Sequence, residues 1–260
     1  MSLRITLVQQ GLAWQDPAEN RTRFQTLLAP LAGQTDLVIL PETFTTGFTM
    51  EAQRVGEPPE GPTAAWLRRL AAELDAAITG SLITTEDGHH YNRLLWAQPD
   101  GTLRHYDKRH LFRMGGEHEH FTAGRGACSV QWRGFAICPL VCYDLRFPVF
   151  SRRRAQLDYD LLVYVANWPA ARAYPWRQLL IARAIENQAY VAGVNRIGPD
   201  GGGIEHRGES LVCDFLGQPL AQLGTEPALR TVELDLQVLR AFRERFPAHL
   251  DADRFTLSPP

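Results

Sequence analysis

Short apolar runs of strand length alternate with segments of helical spacing along most of the chain, and this alternation constrains the fold most. Two of the runs, "LVIL" (37–40) and "LLVYV" (161–165), have no polar face. A strand that is apolar on both sides must be covered on both sides. Each sheet therefore needs helices on one face and a second layer on the other. Further strand-like runs lie at 3–10, 76–84, 91–101, 128–142, 189–198, 208–217 and 229–236, and Pro99-Asp100-Gly101 marks a hairpin. Residues 16–32 open with Asp16 and Pro17, a helix cap and first-turn pair. Residues 61–76 put Trp66, Leu67, Leu70 and Leu74 on one helical stripe. Residues 175–188 place Leu179, Ala182 and Ile185 on another, which Ala189 continues. The pattern predicts a mixed α/β layered domain over 1–260 with no repeat and no linker. The polar and aromatic tail, about 242–260, is expected to pack on the surface or on a sister subunit.

Composition narrows the class of function. A net charge of −2 with no basic face argues against nucleic acid or an anionic membrane as partner. The longest apolar run is too short to span a bilayer. The opening "MSLRITLVQQ" carries no leader pattern, so a cytoplasmic location is expected. Cys128, Cys138, Cys142 and Cys213 form no CxxC pair. In a reducing compartment they serve packing or chemistry rather than disulfides.

Three positions carry candidate chemistry. Glu42, in "LVILPETFTTGF", follows a buried strand, where partial desolvation raises a carboxyl pKa and suits it to proton transfer. Lys108, in "RHYDKRHLF", stands between the hairpin and an apolar step, so its ammonium can point inward towards an oxyanion or a thiol. Cys142, in "ICPLVCYDLRFP", sits where a strand gives way to a tight turn, which exposes its sulfur beside the Tyr143 N–H. Each residue taken singly is ordinary: a surface glutamate, a solvated lysine, a small buried thiol. All three lie at strand ends, which in a layered sheet converge on one crevice.

"LPETFTTGF", "YDKRHLF" and "CYDLRFP" together resemble the signature blocks of the nitrilase superfamily of carbon–nitrogen hydrolases. They stand in family order, with 66 residues from Glu42 to Lys108 and 34 from Lys108 to Cys142. "NWP" (167–169) and "ARAIENQAYVAGVNR" (182–196) extend the likeness over nearly the whole chain. The wording "YDKRHLFRMGGEHEHFTAG" is similar to the ω-amidase branch, which acts on 2-oxo-dicarboxylic acid monoamides. One departure is Val149, where many members carry glutamate.

The resemblance implies a four-layer αββα sandwich that forms homodimers or higher homo-oligomers. It implies Glu42, Lys108 and Cys142 as the catalytic set, with no metal or organic cofactor. Glu117 is the match for a further site glutamate, and Glu119 is the neighbour that competes for the part. Substrate contacts are expected from Tyr143, from Trp168 and Phe48 as pocket walls, and from Arg172 as partner of a substrate carboxylate.

Two rival readings compete. His110, Glu117, His118, Glu119 and His120 crowd one span and suggest a metal site, although no HExxH helix is present. A non-catalytic scaffold is the other rival, but it has no need of three reactive positions. Within the fold, a nitrilase proper or an aliphatic or N-carbamoyl amidase stands beside the ω-amidase. His89-His90 reads as a turn.

Overall fold

The computed structural model describes residues 1–258. In chain order the strands are β1 (Ser2–Gln9), β2 (Leu37–Ile39), β3 (Ala77–Glu86), β4 (His89–Ala97), β5 (Leu103–Asp107), β6 (Val130–Trp132) and β7 (Phe135–Val141). They continue as β8 (Leu161–Ala166), β9 (Tyr190–Asn195), β10 (Ile197–Pro199), β11 (Glu205–Arg207), β12 (Leu211–Cys213), β13 (Pro219–Gln222) and β14 (Ala228–Asp235). The longer helices are α1 (Pro17–Leu28), α2 (Pro62–Leu74), α3 (Ala173–Asn187) and α4 (Leu236–Arg245).

Two six-stranded sheets form the centre, in the orders β14-β1-β2-β3-β4-β5 and β13-β12-β9-β8-β7-β6. In each, three central strands run parallel: β1, β2 and β3 in the first, β7, β8 and β9 in the second. Antiparallel strands flank them.

Side-chain alternation explains the layering. Leu3, Ile5, Leu7, Leu37 and Ile39 join the core shared with Ile137, Leu140 and Val163 of the other sheet. Val8, Val38 and Leu40 turn the opposite way, onto Phe24 and Leu28 of α1 and Trp66, Leu67 and Leu70 of α2. β1 lies against β9 and β4 against β7, while α3 covers β9 and β12. The order is helices, sheet, sheet, helix: a four-layer αββα sandwich. Truncating Leu70, which is fully buried, to alanine would cost about 2–5 kcal/mol.

α1 begins as expected, with Asp16 Oδ1 accepting the Glu19 N–H and Pro17 in the first turn. The expected face of α3 holds only in part: Ala189 is buried and Leu179 packs against the core, but the stripe does not centre on them. Trp176, Leu180 and Ala184 face the core with Arg183 and Asn187, whereas Ile185 is 51% exposed. Two polar residues occupy the inner face because each has a buried partner. Arg183 donates to the Leu145 carbonyl at 2.7 Å, and Asn187 accepts the Arg153 N–H at 2.8 Å. His89 and His90 open β4 rather than forming the turn, which falls at Asp87-Gly88, both at positive φ. Val149 is exposed within the short helix Pro148–Ser151, clear of the core.

The tail is less peripheral at its start than expected. Phe242 stacks on Phe215 and Arg243 is buried, its guanidinium held by Asp160 and the carbonyls of Tyr159 and Gln188. Farther along, Phe255 lies under Arg154 and the Ser258 carbonyl accepts from Arg109, so the irregular end crosses the chain's own surface. Pro259 and Pro260 fall outside the described residues. Among the described residues no helix is long and apolar enough to cross a membrane.

Candidate active site

Glu42 follows β2. The next residue, Thr43, has φ of 40°, a left-handed conformation unfavourable for a β-branched side chain. Buried hydrogen bonds hold it there. Thr43 N donates to Ser81 Oγ at 2.8 Å, and Asn167 Nδ2 donates to Thr43 Oγ1 at 3.0 Å and to the Glu42 carbonyl at 2.6 Å. The sharp turn carries the Glu42 side chain between the two sheets, where it is fully buried.

Lys108 follows β5 and is 1% exposed. Its backbone is pinned to Asn92 and Gly124, each at 2.9 Å. The ammonium lies 2.9 Å from Glu42 Oε1 and 2.9 Å from Glu117 Oε2. Asn92 Nδ2 bridges the two carboxylates, at 2.8 Å from Glu42 and 3.1 Å from Glu117. Glu117 is fully buried and also accepts the Phe112 N–H at 2.5 Å. Glu119 is exposed and faces only His118, at 3.7 Å. Of the two glutamates, Glu117 is the one at the site.

Cys142 follows β7 and starts the short turn Cys142–Arg146 with φ of 42°. A non-glycine residue there stores about 1 kcal/mol or more of strain. Asp144, fully buried, secures the turn. It accepts from Val141 N at 3.0 Å, Tyr106 OH at 2.7 Å, and His110 N and Nδ1 at 3.1 and 2.7 Å. Tyr106 and His110 flank Lys108, so this one carboxylate couples the thiol's turn to the lysine's loop. Tyr143 is half-buried, and as the second residue of a tight turn its N–H has no partner within that turn.

The charges follow from burial and pairing. Burial works to raise Glu42, but the Lys108 charge, Lys108 and Asn167 hydrogen bonds and the neighbouring Cys142 thiol outweigh it, holding Glu42 below its ordinary value. Burial dominates at Glu117 and, with the Glu42 charge, leaves it raised despite Lys108. Burial opposes the Lys108 charge, yet Glu117 and Glu42 hold it well above an ordinary lysine. Burial, then the Glu42 charge, push the Cys142 thiol well up. The resting site holds a carboxylate beside a protonated thiol.

Glu42, Lys108 and Cys142 line one cavity of about 350 Å³. Phe48, Tyr143, Trp168 and Arg172 border it too. Lys108 Nζ lies 5.2 Å from the Phe48 ring centre, and Arg172 lies over Phe112 at 5.4 Å. Trp168 is buried, with its indole N–H on the Arg172 carbonyl at 2.7 Å. The histidine-rich span disperses: His110 binds Asp144, Glu117 binds Lys108, and His120 is exposed. Among the described residues no three His, Cys, Asp or Glu side chains are arranged to hold a metal ion.

Sequence reasoning missed Asn92, Asn167 and Arg146. Asn167 stands in "NWP" and Arg146 in "CYDLRFP", both noticed as blocks without roles. Asn92 sits in a strand that reads as ordinary, and only the fold turns its amide inward.

The sequence profile described as carbon-nitrogen hydrolase matches residues 4–244. An ω-amidase, YafV, of Yersinia enterocolitica is 52% identical over 98% of this chain and 99% of its own. A 2-oxoglutaramate amidase of Bacillus subtilis is 32% identical over 96% and 98%. A solved structure from Xanthomonas campestris, a CN-hydrolase superfamily protein with an arsenic adduct in its active site, superposes with a TM-score of 0.97. It is 54% identical, covering 99% of this chain and 100% of that one. With the profile spanning most of the chain and the sandwich carrying the three signature residues into one cavity, the chain belongs to the carbon-nitrogen hydrolase family and hydrolyses amides.

Proposed function

We propose that the enzyme is a cysteine-dependent ω-amidase. It releases ammonia from the ω-amide of 2-oxo-dicarboxylic acid monoamides such as 2-oxoglutaramate and leaves the diacid. The similarity to an ω-amidase and to a 2-oxoglutaramate amidase supports the substrate class. The observation that carries the mechanism is the meeting of Glu42, Lys108 and Cys142 on one buried cavity wall.

In this reading Glu42 takes the Cys142 proton as sulfur attacks the amide carbon. The raised thiol pKa means that the proton leaves only as the S–C bond forms. The carbonyl electron pair moves onto oxygen, where the Lys108 ammonium and the Tyr143 N–H stabilise it. Glu42 then returns its proton to nitrogen, the C–N bond breaks and ammonia leaves a thioester. A water, deprotonated by Glu42, attacks the thioester carbon, and the thiol is regenerated. Glu117 orients Lys108. Phe48 and Trp168 wall the pocket, and Arg172 receives the substrate carboxylate.

Residues 1–260 act as one catalytic unit in this reading, since the first sheet supplies Glu42 and Lys108 and the second supplies Cys142. A cytoplasmic location suits a working thiol and four free cysteines. Homodimers or larger assemblies would cover Ile185 of α3 and Leu216 of the β12–β13 turn, which expose apolar side chains.

Ammonia release across a panel of ω-amides tests the reading. The 2-oxo monoamides should give the highest kcat/KM, above amino-dicarboxylate and simple aliphatic amides. A higher value for an aliphatic or N-carbamoyl amide would overturn the ω-amidase assignment.

A further inference from the structure

Asn92 touches Glu42, Lys108 and Glu117, yet it does not line the cavity. It is 1% exposed on β4, and its carbonyl accepts the Lys108 backbone N–H at 2.9 Å. Its side-chain Nδ2 donates to Glu42 Oε1 at 2.8 Å and to Glu117 Oε1 at 3.1 Å. The Lys108 ammonium reaches the same two oxygens, at 2.9 and 3.0 Å. Two nitrogens, one charged and one neutral, thus stand between two buried carboxylates.

The amide can face this way only. Turned over, it would set Oδ1 against two negative charges. As it stands, Oδ1 is buried with no hydrogen-bond partner among the described residues. A buried acceptor without a donor is unfavourable, so the site tolerates it for what the donor end does. The other groups facing Glu42 lie elsewhere: its Oε2 accepts the Asn167 N–H at 2.7 Å, and the Cys142 thiol stands beside it.

Glu42 and Glu117 are poor neighbours during turnover. Once Glu42 holds the Cys142 proton, a direct O–H···O contact would let the two carboxylates share it. Glu117 is the more basic of the pair, so a shared proton would settle there, away from the leaving nitrogen. We infer that Asn92 is a positioning residue that keeps Glu42 and Glu117 from sharing a proton. Its donation to both Oε1 atoms occupies the approach between them. The proton taken from sulfur then stays on Glu42 until nitrogen receives it, and Asn92 itself neither gains nor loses one. The inference rests on Glu42 carrying the proton, as in the scheme above.

The test compares an amide with an activated ester of the same acyl group, such as a nitrophenyl ester, whose leaving group departs as an anion and needs no proton. N92A should lower kcat/KM for the amide about tenfold or more relative to the ester, through kcat rather than KM. The acid limb of the amide profile should rise by about one pH unit, because ionised Glu42 loses a donor. N92T keeps a strand-favouring shape and one hydroxyl hydrogen; it guards against a folding defect and should fall between N92A and wild type. In an E117Q background, N92A should leave the amide-to-ester ratio within about twofold, since the competing acceptor is gone. If N92A slows amide and ester alike and the acid limb stays in place, Asn92 only packs, and the inference is overturned while the Glu42 scheme stands. If E42Q hydrolyses amides at the wild-type rate, scheme and inference both fail.

Discussion

Asn167 donates its backbone N–H to Glu42 Oε2 at 2.7 Å and its side-chain amide to the Glu42 carbonyl at 2.6 Å. The two residues are 125 apart in sequence and follow strands of different sheets, β2 and β8. A residue of the second sheet therefore fixes the carboxylate of the first, and the site is assembled only when the sheets have packed.

Asn167→Ala should lower kcat about tenfold, because the Glu42 carbonyl and the Thr43 hydroxyl lose the side-chain amide that holds their turn, while the carboxylate keeps its bonds to the residue 167 N–H, Lys108 and Asn92. Stability should fall by about 1–3 kcal/mol for the carbonyl left without its donor. Ammonia-release kinetics and urea unfolding measure the two effects. A wild-type kcat would show that Glu42 keeps its position without this contact.

Cys142→Ala should abolish ammonia release while the far-ultraviolet circular dichroism and the melting temperature stay near wild type. Iodoacetamide should inactivate the native enzyme, and a chelator should not. Residual turnover at the wild-type rate would end the thioester scheme.

Lys108→Met should separate charge from packing through pH. Two buried carboxylates would lose their shared cation, and a carboxyl without one titrates higher in the folded state than in the unfolded chain. Groups raised in this way favour folding below the unfolded value of 4.5 and cease to do so as pH rises through the folded value. The loss should reach about 3–5 kcal/mol at pH 7 and shrink towards pH 5. Urea midpoints at both pH values check it; an equal loss at both would refute the charge explanation.

Glu117→Gln should cut kcat by an order of magnitude or more, because the buried contact orienting Lys108 is weakened. Glu119→Gln, two residues on and exposed, should stay within about twofold of wild type. Equal effects would mean that burial does not separate their roles.

Tyr106→Phe removes the hydroxyl that Asp144 accepts at 2.7 Å and that also takes the Arg109 N–H at 3.1 Å. A stability loss of about 1–3 kcal/mol is expected, together with a lower kcat, since the turn of Cys142 and the loop of Lys108 share this bond. A stability loss with unchanged kcat would limit the network to folding.

Much of the chemistry was legible before any coordinates. Residue type, order and placement at strand ends marked Glu42, Lys108 and Cys142, and the surrounding wording marked Glu117. The inner face of α3 is legible only at Leu179 and Ala189, because apolar periodicity cannot anticipate that Arg183 and Asn187 find buried partners. Asn92, Asn167 and Arg146 lacked a signal of their own, since an amide or a guanidinium becomes part of a site only through what it meets.

The reactive groups and the alternation of strands and helices can be read from residue type and spacing alone, because both are local properties. The tertiary structure decided which carboxylates share the ammonium and which glutamate is buried. Those outcomes depend on the packing of two sheets whose contacting residues lie far apart in the chain, and short-range patterns do not encode such distances.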